Sequence, residues 1–162
     1  MKKVIVFLIG ILIIIIENSI TNYINIFGTS INLILIYTII ISLYFDKFEV
    51  SIIGALLGLF KDALITAVFG VNGLILFTVS YLISNLKEKV YKESNLTIFT
   101  LVFLTTLLDS LINLIITVIM FNLYGIIINI IKSIVLIPIN NAIVGVLLFN
   151  AFRPVISKLK ND

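Results

Sequence analysis

Long apolar runs follow one another along nearly the whole chain, at positions 4–16, 31–45, 50–69, 71–86, 96–120 and 125–149. A helix of about 20 apolar residues crosses the roughly 30 Å hydrocarbon core of a bilayer. Repetition at this density leaves too little polar surface to cover a water-soluble core: 61% of the 162 residues are hydrophobic and 12% charged. No stretch alternates apolar and polar residues for long, which removes a β-barrel. The sequence therefore predicts an all-α, polytopic integral membrane protein with six transmembrane helices, or five if the third and fourth runs are misparsed. All loops are short and no linker or repeat divides the chain, so 1–162 reads as one transmembrane domain. Met1-Lys2-Lys3 ahead of the first run resembles a signal peptide. No small-x-small cleavage site follows, only "ENSITNYINIFG", and an uncleaved first helix is expected.

Charge gives an independent check on that count. With an inner N-terminus, six spans put Lys2, Lys3, Lys47, Lys87, Lys89, Lys92, Arg153, Lys158 and Lys160 on the inner side and no Lys or Arg on the outer. That asymmetry is the positive-inside pattern and predicts a cell-membrane protein with both termini cytoplasmic. Tyr23, Tyr44, Tyr91 and Tyr124 fall at predicted span ends, where an amphipathic ring sits well. The net charge of +3 is orientation signal in such a chain and does not point to nucleic acid.

Absences narrow the chemistry. The sequence has no His and no Cys, so zinc sites, thiol nucleophiles, disulfides and a Ser–His dyad are excluded. No GxxxxGK[ST] loop is present to cradle a nucleotide. No catalytic, cofactor-binding or metal-binding residues are assigned, and no enzyme activity or cofactor is expected.

Four charges nevertheless lie inside predicted spans. Asp62 lies twelve residues after Val50, and Asp109 thirteen after Leu96, on two helices running the same way. Both reach roughly 18–20 Å into the membrane. Lys132, seven residues after Gly125 on a returning helix, meets that layer from the other face at roughly 10 Å depth. With Lys61 the layer holds two acids and two bases. Gly54, Gly58, Lys61 and Asp62 share one side of the third helix. Thr106, Asp109, Asn113 and Thr117 form a stripe on the fifth, and Asn129, Lys132, Ser133 and Asn140 another on the sixth. The third, fifth and sixth helices are expected to meet there, with Asp109 paired to Lys132 and the two glycines admitting a neighbouring backbone. A charged residue at a helix centre costs about 2.5–3.5 kcal/mol on insertion scales, so such groups pair or mark a pathway. Balanced charges without a His relay favour a structural role over transport. Pro138 is expected to kink the sixth helix.

The third and fourth runs also carry a family likeness. "GALLGLFKDALITAVFGVNGLILFTVSYL", Gly54 to Leu82, resembles the signature of the bacterial rod-shape-determining MreD family: a Gly-rich helix, a membrane Asp and a "GxNxL"-like turn. The matching positions are Gly54, Gly58, Asp62, Gly70, Asn72 and Leu74; Lys61 stands where an apolar residue is usual. The resemblance implies a non-enzymatic membrane scaffold of the cell-wall elongation machinery that maintains rod shape. It would bind an MreC-like single-span protein, and act with an MreB-like actin filament and a glycosyltransferase and transpeptidase. It also implies a fold similar to the substrate-binding subunits of energy-coupling-factor transporters, so a vitamin-binding subunit is the alternative. The first helix, "VIVFLIGILIIII", has only Gly10 where such subunits carry spaced small residues for docking. A lipid-modifying membrane enzyme is a third class, disfavoured because only Asp62 and Asp109 are available as acids. On this reading Gly54, Gly58, Lys61, Asp62, Gly70, Asn72, Asp109 and Lys132 are packing residues.

Overall fold

The computed structural model describes residues 2–20, 29–65, 68–91, 94–120 and 126–161, and they are helical almost throughout. Tyr23, Tyr124 and Lys92, read above as membrane-interface or inner-side residues, lie outside them. The elements in order are α1 (Lys2–Ile20), α2 (Leu33–Ser42), α3 (Lys47–Ile65), α4 (Val71–Leu86), α5 (Asn95–Met120) and α6 (Ile126–Ile131). A π-helical turn, Lys132–Leu136, then leads into α7 (Ile137–Asn161). Two stretches, Asn95–Met120 and Ile128–Phe152, are each long and apolar enough to cross a membrane; Leu33–Ser42 and Val71–Leu86 are apolar but shorter.

Polarity runs inside out. Along α5 the outward Leu108 and Ile115 are 56% and 58% exposed while Asp109 is 6% exposed. On α1 Leu8, Leu12 and Ile15 face outward while Glu17 is buried. Water would penalise an apolar exterior of this extent, whereas lipid does not. The long apolar helices and this exterior point to a membrane protein.

The helices pair as hairpins, α3 against α4 and α5 against α7, around α2. That central helix contacts α1, α3, α4, α5 and α7, and Ile34, Leu35, Ile36, Ile39, Ile40 and Ile41 are all buried. A helix apolar on every side is a core helix, and α2 is one. Its ten residues are half of a span, because Asn32 caps it: the Asn32 side chain accepts from the Leu35 N–H.

Gly54 and Gly58 set the separation of α3 and α4. A Cβ on Gly54 would lie 2.8 Å from the Leu76 carbonyl oxygen. One on Gly58 would lie 2.6 Å from the Gly73 Cα and nearer still to the Asn72 carbonyl. Both obstacles are backbone and cannot rotate away. The glycine face of α3 therefore meets α4, not α5 and the last helix as the shared polar layer suggested. Gly70, at φ 98°, turns the chain into α4 in a conformation that L side chains seldom adopt.

One end of the bundle gathers surface charge. Lys3 pairs with Glu49, Lys87 with Asp46 at 3.6 Å, and the Lys47 ammonium sits 4.0 Å over the Tyr81 ring. Lys87 also donates to the Phe45 carbonyl at 2.9 Å. The starts of α1 and α3 and the ends of α2 and α4 thus lie together.

Replacing Gly58 by Ala should cost about 3 kcal/mol, at the upper end for overpacking, because backbone must move. Thermal melts of the purified chain in detergent would measure it, and an unchanged melting temperature would contradict the close α3–α4 contact.

Candidate functional site

Away from the charged end, a polar layer crosses the bundle, and its members come from elements far apart in sequence. Asp62, one turn from the end of α3, is buried. Its carboxylate accepts from the Gly70, Asn72 and Gly73 backbone N–H groups at 3.0, 3.3 and 3.1 Å, and from the Asn72 side chain at 2.7 Å. The first N–H groups of a helix have no partner within it and carry the positive end of its dipole. Asp62 supplies acceptors and negative charge together. The adjacent Gly, Asn and Gly therefore form a receptor for this carboxylate.

Lys61, the residue before it, turns elsewhere. Its ammonium lies 2.8 Å from Glu17 of α1 and 3.0 Å from the Asn32 carboxamide oxygen. Glu17 and Lys61 are both buried, and the second oxygen of Glu17 accepts from the Ile34 N–H at 2.8 Å. Glu17 thus does at the start of α2 what Asp62 does at the start of α4. The first apolar run stops at position 16, one residue short of Glu17, yet α1 continues through it to Ile20.

Asn32 joins the rest. Its side-chain nitrogen donates to Asp109 at 3.0 Å and its backbone N–H to Asn141 at 3.0 Å. Asp109 also accepts from the Asn113 side chain at 3.1 Å. A continuous chain of bonds therefore runs Glu17–Lys61–Asn32–Asp109–Asn113, from α1 through α3 and α2 to α5. Among the described residues of this layer the ion pair between helices is Glu17 with Lys61, whereas Asp109, expected to pair with Lys132, takes amide donors instead. Lys132 lines the same cavity as Asp109, from the π-helical turn.

That turn has a local cause. Pro138 has no N–H, so the helix before it cannot keep regular bonding. The Ile137 N–H reaches back to the Lys132 carbonyl, five residues away. The Ser133 carbonyl then has neither Ile137 nor Pro138 as donor. The Ser110 hydroxyl of α5 donates to it at 2.6 Å. The expected distortion at Pro138 thus takes the form of a π-turn one step earlier, clasped to α5.

Together these groups wall a cavity of about 560 Å³, lined among others by Glu17, Lys61, Asp109, Asn113, Asn129 and Lys132. Thr106 is buried outside it, and Asn140 donates to Thr29 at 2.9 Å. No group of three or more potential metal ligands occurs among the described residues.

Glu17, Asn32, Ser110 and Asn141 were missed. One signal was legible for Glu17. Fifteen residues separate it from Lys2 at the start of α1, as fifteen separate Asp62 from Lys47 at the start of α3; fourteen separate Asp109 from Asn95. Three helices carry an acid at one depth.

Glu17→Gln keeps an acceptor for Ile34 but removes the charge. Alone it strands the Lys61 cation, and Lys61→Met strands Glu17, each at a cost of about 3–5 kcal/mol. The double variant should lose clearly less than the sum of the two. Additive losses in detergent melts would show that the pair is not coupled.

Residues 1–159 match the family model described as rod shape-determining protein MreD. Comparison with curated proteins and with solved structures returned no match. The match spans nearly the whole chain and includes the Asp62 carboxylate and the Gly70–Asn72 turn that receives it, so the chain belongs to the rod shape-determining protein MreD family.

Proposed function

We propose that this cell-shape-determining membrane protein is a non-enzymatic scaffold of the cell-wall elongation machinery, holding an MreC-like single-span protein by its apolar helix faces. Through that protein it would serve an MreB-like filament and a cell-wall glycosyltransferase and transpeptidase. The observation that carries this reading is the family match over residues 1–159. The polar layer supports it: Asp62 and Glu17 hold helix starts and Lys61 pairs with Glu17, which suits a rigid part better than a turnover site.

In this reading the chain crosses the membrane six times with both termini cytoplasmic. The gathering of Lys3, Lys47 and Lys87 at one end of the bundle agrees with that orientation. The natural lack of cysteine makes the test direct. Single cysteines at positions 22–29 and 122–124 should react with an impermeant thiol reagent from outside, and those at 88–94 should not. The reverse labelling would overturn the topology.

Depletion of the protein should turn rod-shaped cells round without loss of vitamin uptake. Gly58→Leu should reproduce the rounding, since its bulk separates α3 from α4. Cells that kept their shape and lost uptake of a vitamin would replace the scaffold by the energy-coupling-factor subunit.

A further inference from the structure

We infer that the cavity bounded by α1, α5 and the π-helical turn is a binding site for a free α-amino acid, held as its zwitterion. The inference goes beyond the scaffold reading and does not depend on it. The cavity, at about 560 Å³, falls within the roughly 300–1,000 Å³ usual for small-molecule sites. Its walls are built rather than incidental: Glu17, Lys61 and Asp109 line it and are each more than nine-tenths buried.

Charge sets the first limit on the ligand. Glu17 and Asp109 are balanced by Lys61 and Lys132 on the same walls. A ligand of net charge would add an uncompensated ion to a site surrounded by apolar helices, the costly case for a buried charge. An apolar ligand would instead strand buried polar groups without partners. The ligand must be neutral overall and strongly polar.

Residual bonding capacity sets the second limit. Each Asp109 oxygen accepts one of the bonds described, from Asn32 and Asn113. A carboxylate has about four acceptor positions, so roughly two remain, and an ammonium fills them best. The Lys61 ammonium has three N–H groups and uses two, on Glu17 and Asn32. The third suits a carboxylate. Lys61 and Asp109 hold opposite ends of the Asn32 carboxamide, which offers an acceptor to one and a donor to the other. The carboxylate and ammonium of an α-amino acid, one carbon apart, offer the same acceptor and donor in charged form. The apolar part of the wall, Leu114 and Ile137, would receive the side chain. The lining residues described include no aromatic ring.

The full-length chain in detergent tests this directly. Its melting temperature is followed with each proteinogenic amino acid, with N-acetyl amino acids that lack the ammonium, with amino-acid amides that lack the carboxylate, and with glucose. At least one free amino acid should raise the melting temperature increasingly with concentration, and the blocked forms and glucose should not. Asp109→Asn should weaken that binding about 10- to 100-fold. Thr117→Leu, on an exposed turn of α5 at the cavity wall, should weaken it by filling space and needs no buried charge to change. The proposal is overturned if no free amino acid shifts the melting temperature, if blocked forms or glucose shift it equally, or if binding survives both substitutions unchanged.

Discussion

Carboxylates docked on the starts of helices are the interaction on which this structure rests. An ionised acid among apolar helices is costly, and so is the unpaired first turn of a helix that begins inside protein. Each supplies what the other lacks. Asp62 meets three backbone N–H groups at the start of α4, and Glu17 meets one at the start of α2. The favourable sign of the helix dipole comes in addition. Once Asp62 is seated, the α3–α4 turn has to be tight, and only small residues at Gly54 and Gly58 let the two backbones run that close. Position 70 must then turn through positive φ to bring the N–H groups round. The Gly, Asp and Asn elements of the family signature are thus parts of one helical hairpin.

The second dependency runs through Asn32. A helix of ten residues surrounded by others begins inside the fold, and its start must be satisfied there. Asn32 caps α2 with its carboxamide oxygen, which also accepts from Lys61, while its nitrogen turns to Asp109 and its backbone N–H to Asn141. One residue therefore ties α2 to α3, α5 and α7. The Ser110–Ser133 bond adds a further clasp between α5 and the last helix where Pro138 has left a carbonyl without a donor.

Class and the order of the helices were legible from composition and from the apolar runs, because burial in lipid is a property of whole segments. The ends were not, since α1 runs on to Ile20 and α7 to Asn161. The charged layer was legible as a depth, since residues per turn and rise per residue place Asp62 and Asp109 together. Its partners were not. Lys61 and Asp62 are adjacent on α3 and sit about 100° apart around the helix axis, so they address different neighbours, and spacing alone does not say which. Asp62 goes to backbone N–H groups, which no side-chain pairing rule can anticipate. Glu17 lay just past the first apolar run, where the polar "ENSITN" stretch looks like a span end, yet α1 continues to Ile20 and buries it. Asn32 was hidden because it falls inside the 31–45 run, where one Asn among apolar residues gives no signal, and its role follows from four helices converging on it.

An apolar exterior raises a question about specificity in the proposed scaffold. Lipid tails match the outer side chains of α1 and α5 as well as any partner helix would, so apolar contact alone does not select a partner in a membrane. Selection then depends on contour, on where ridges and close approaches fall along the surface. In this chain that contour is set from within. Glu17–Lys61 fixes α1 against α3, Asp62 fixes α4 against α3, and Asn32 fixes α2 against α5 and α7. A slip of one turn in any helix, about 5.4 Å, would break at least one of these bonds and leave a charge or a helix start unsatisfied. Such a slip is costly while the apolar packing alone would tolerate it. The buried charges contribute little as surface features and much as register marks, and a partner that reads the outside reads their arrangement indirectly.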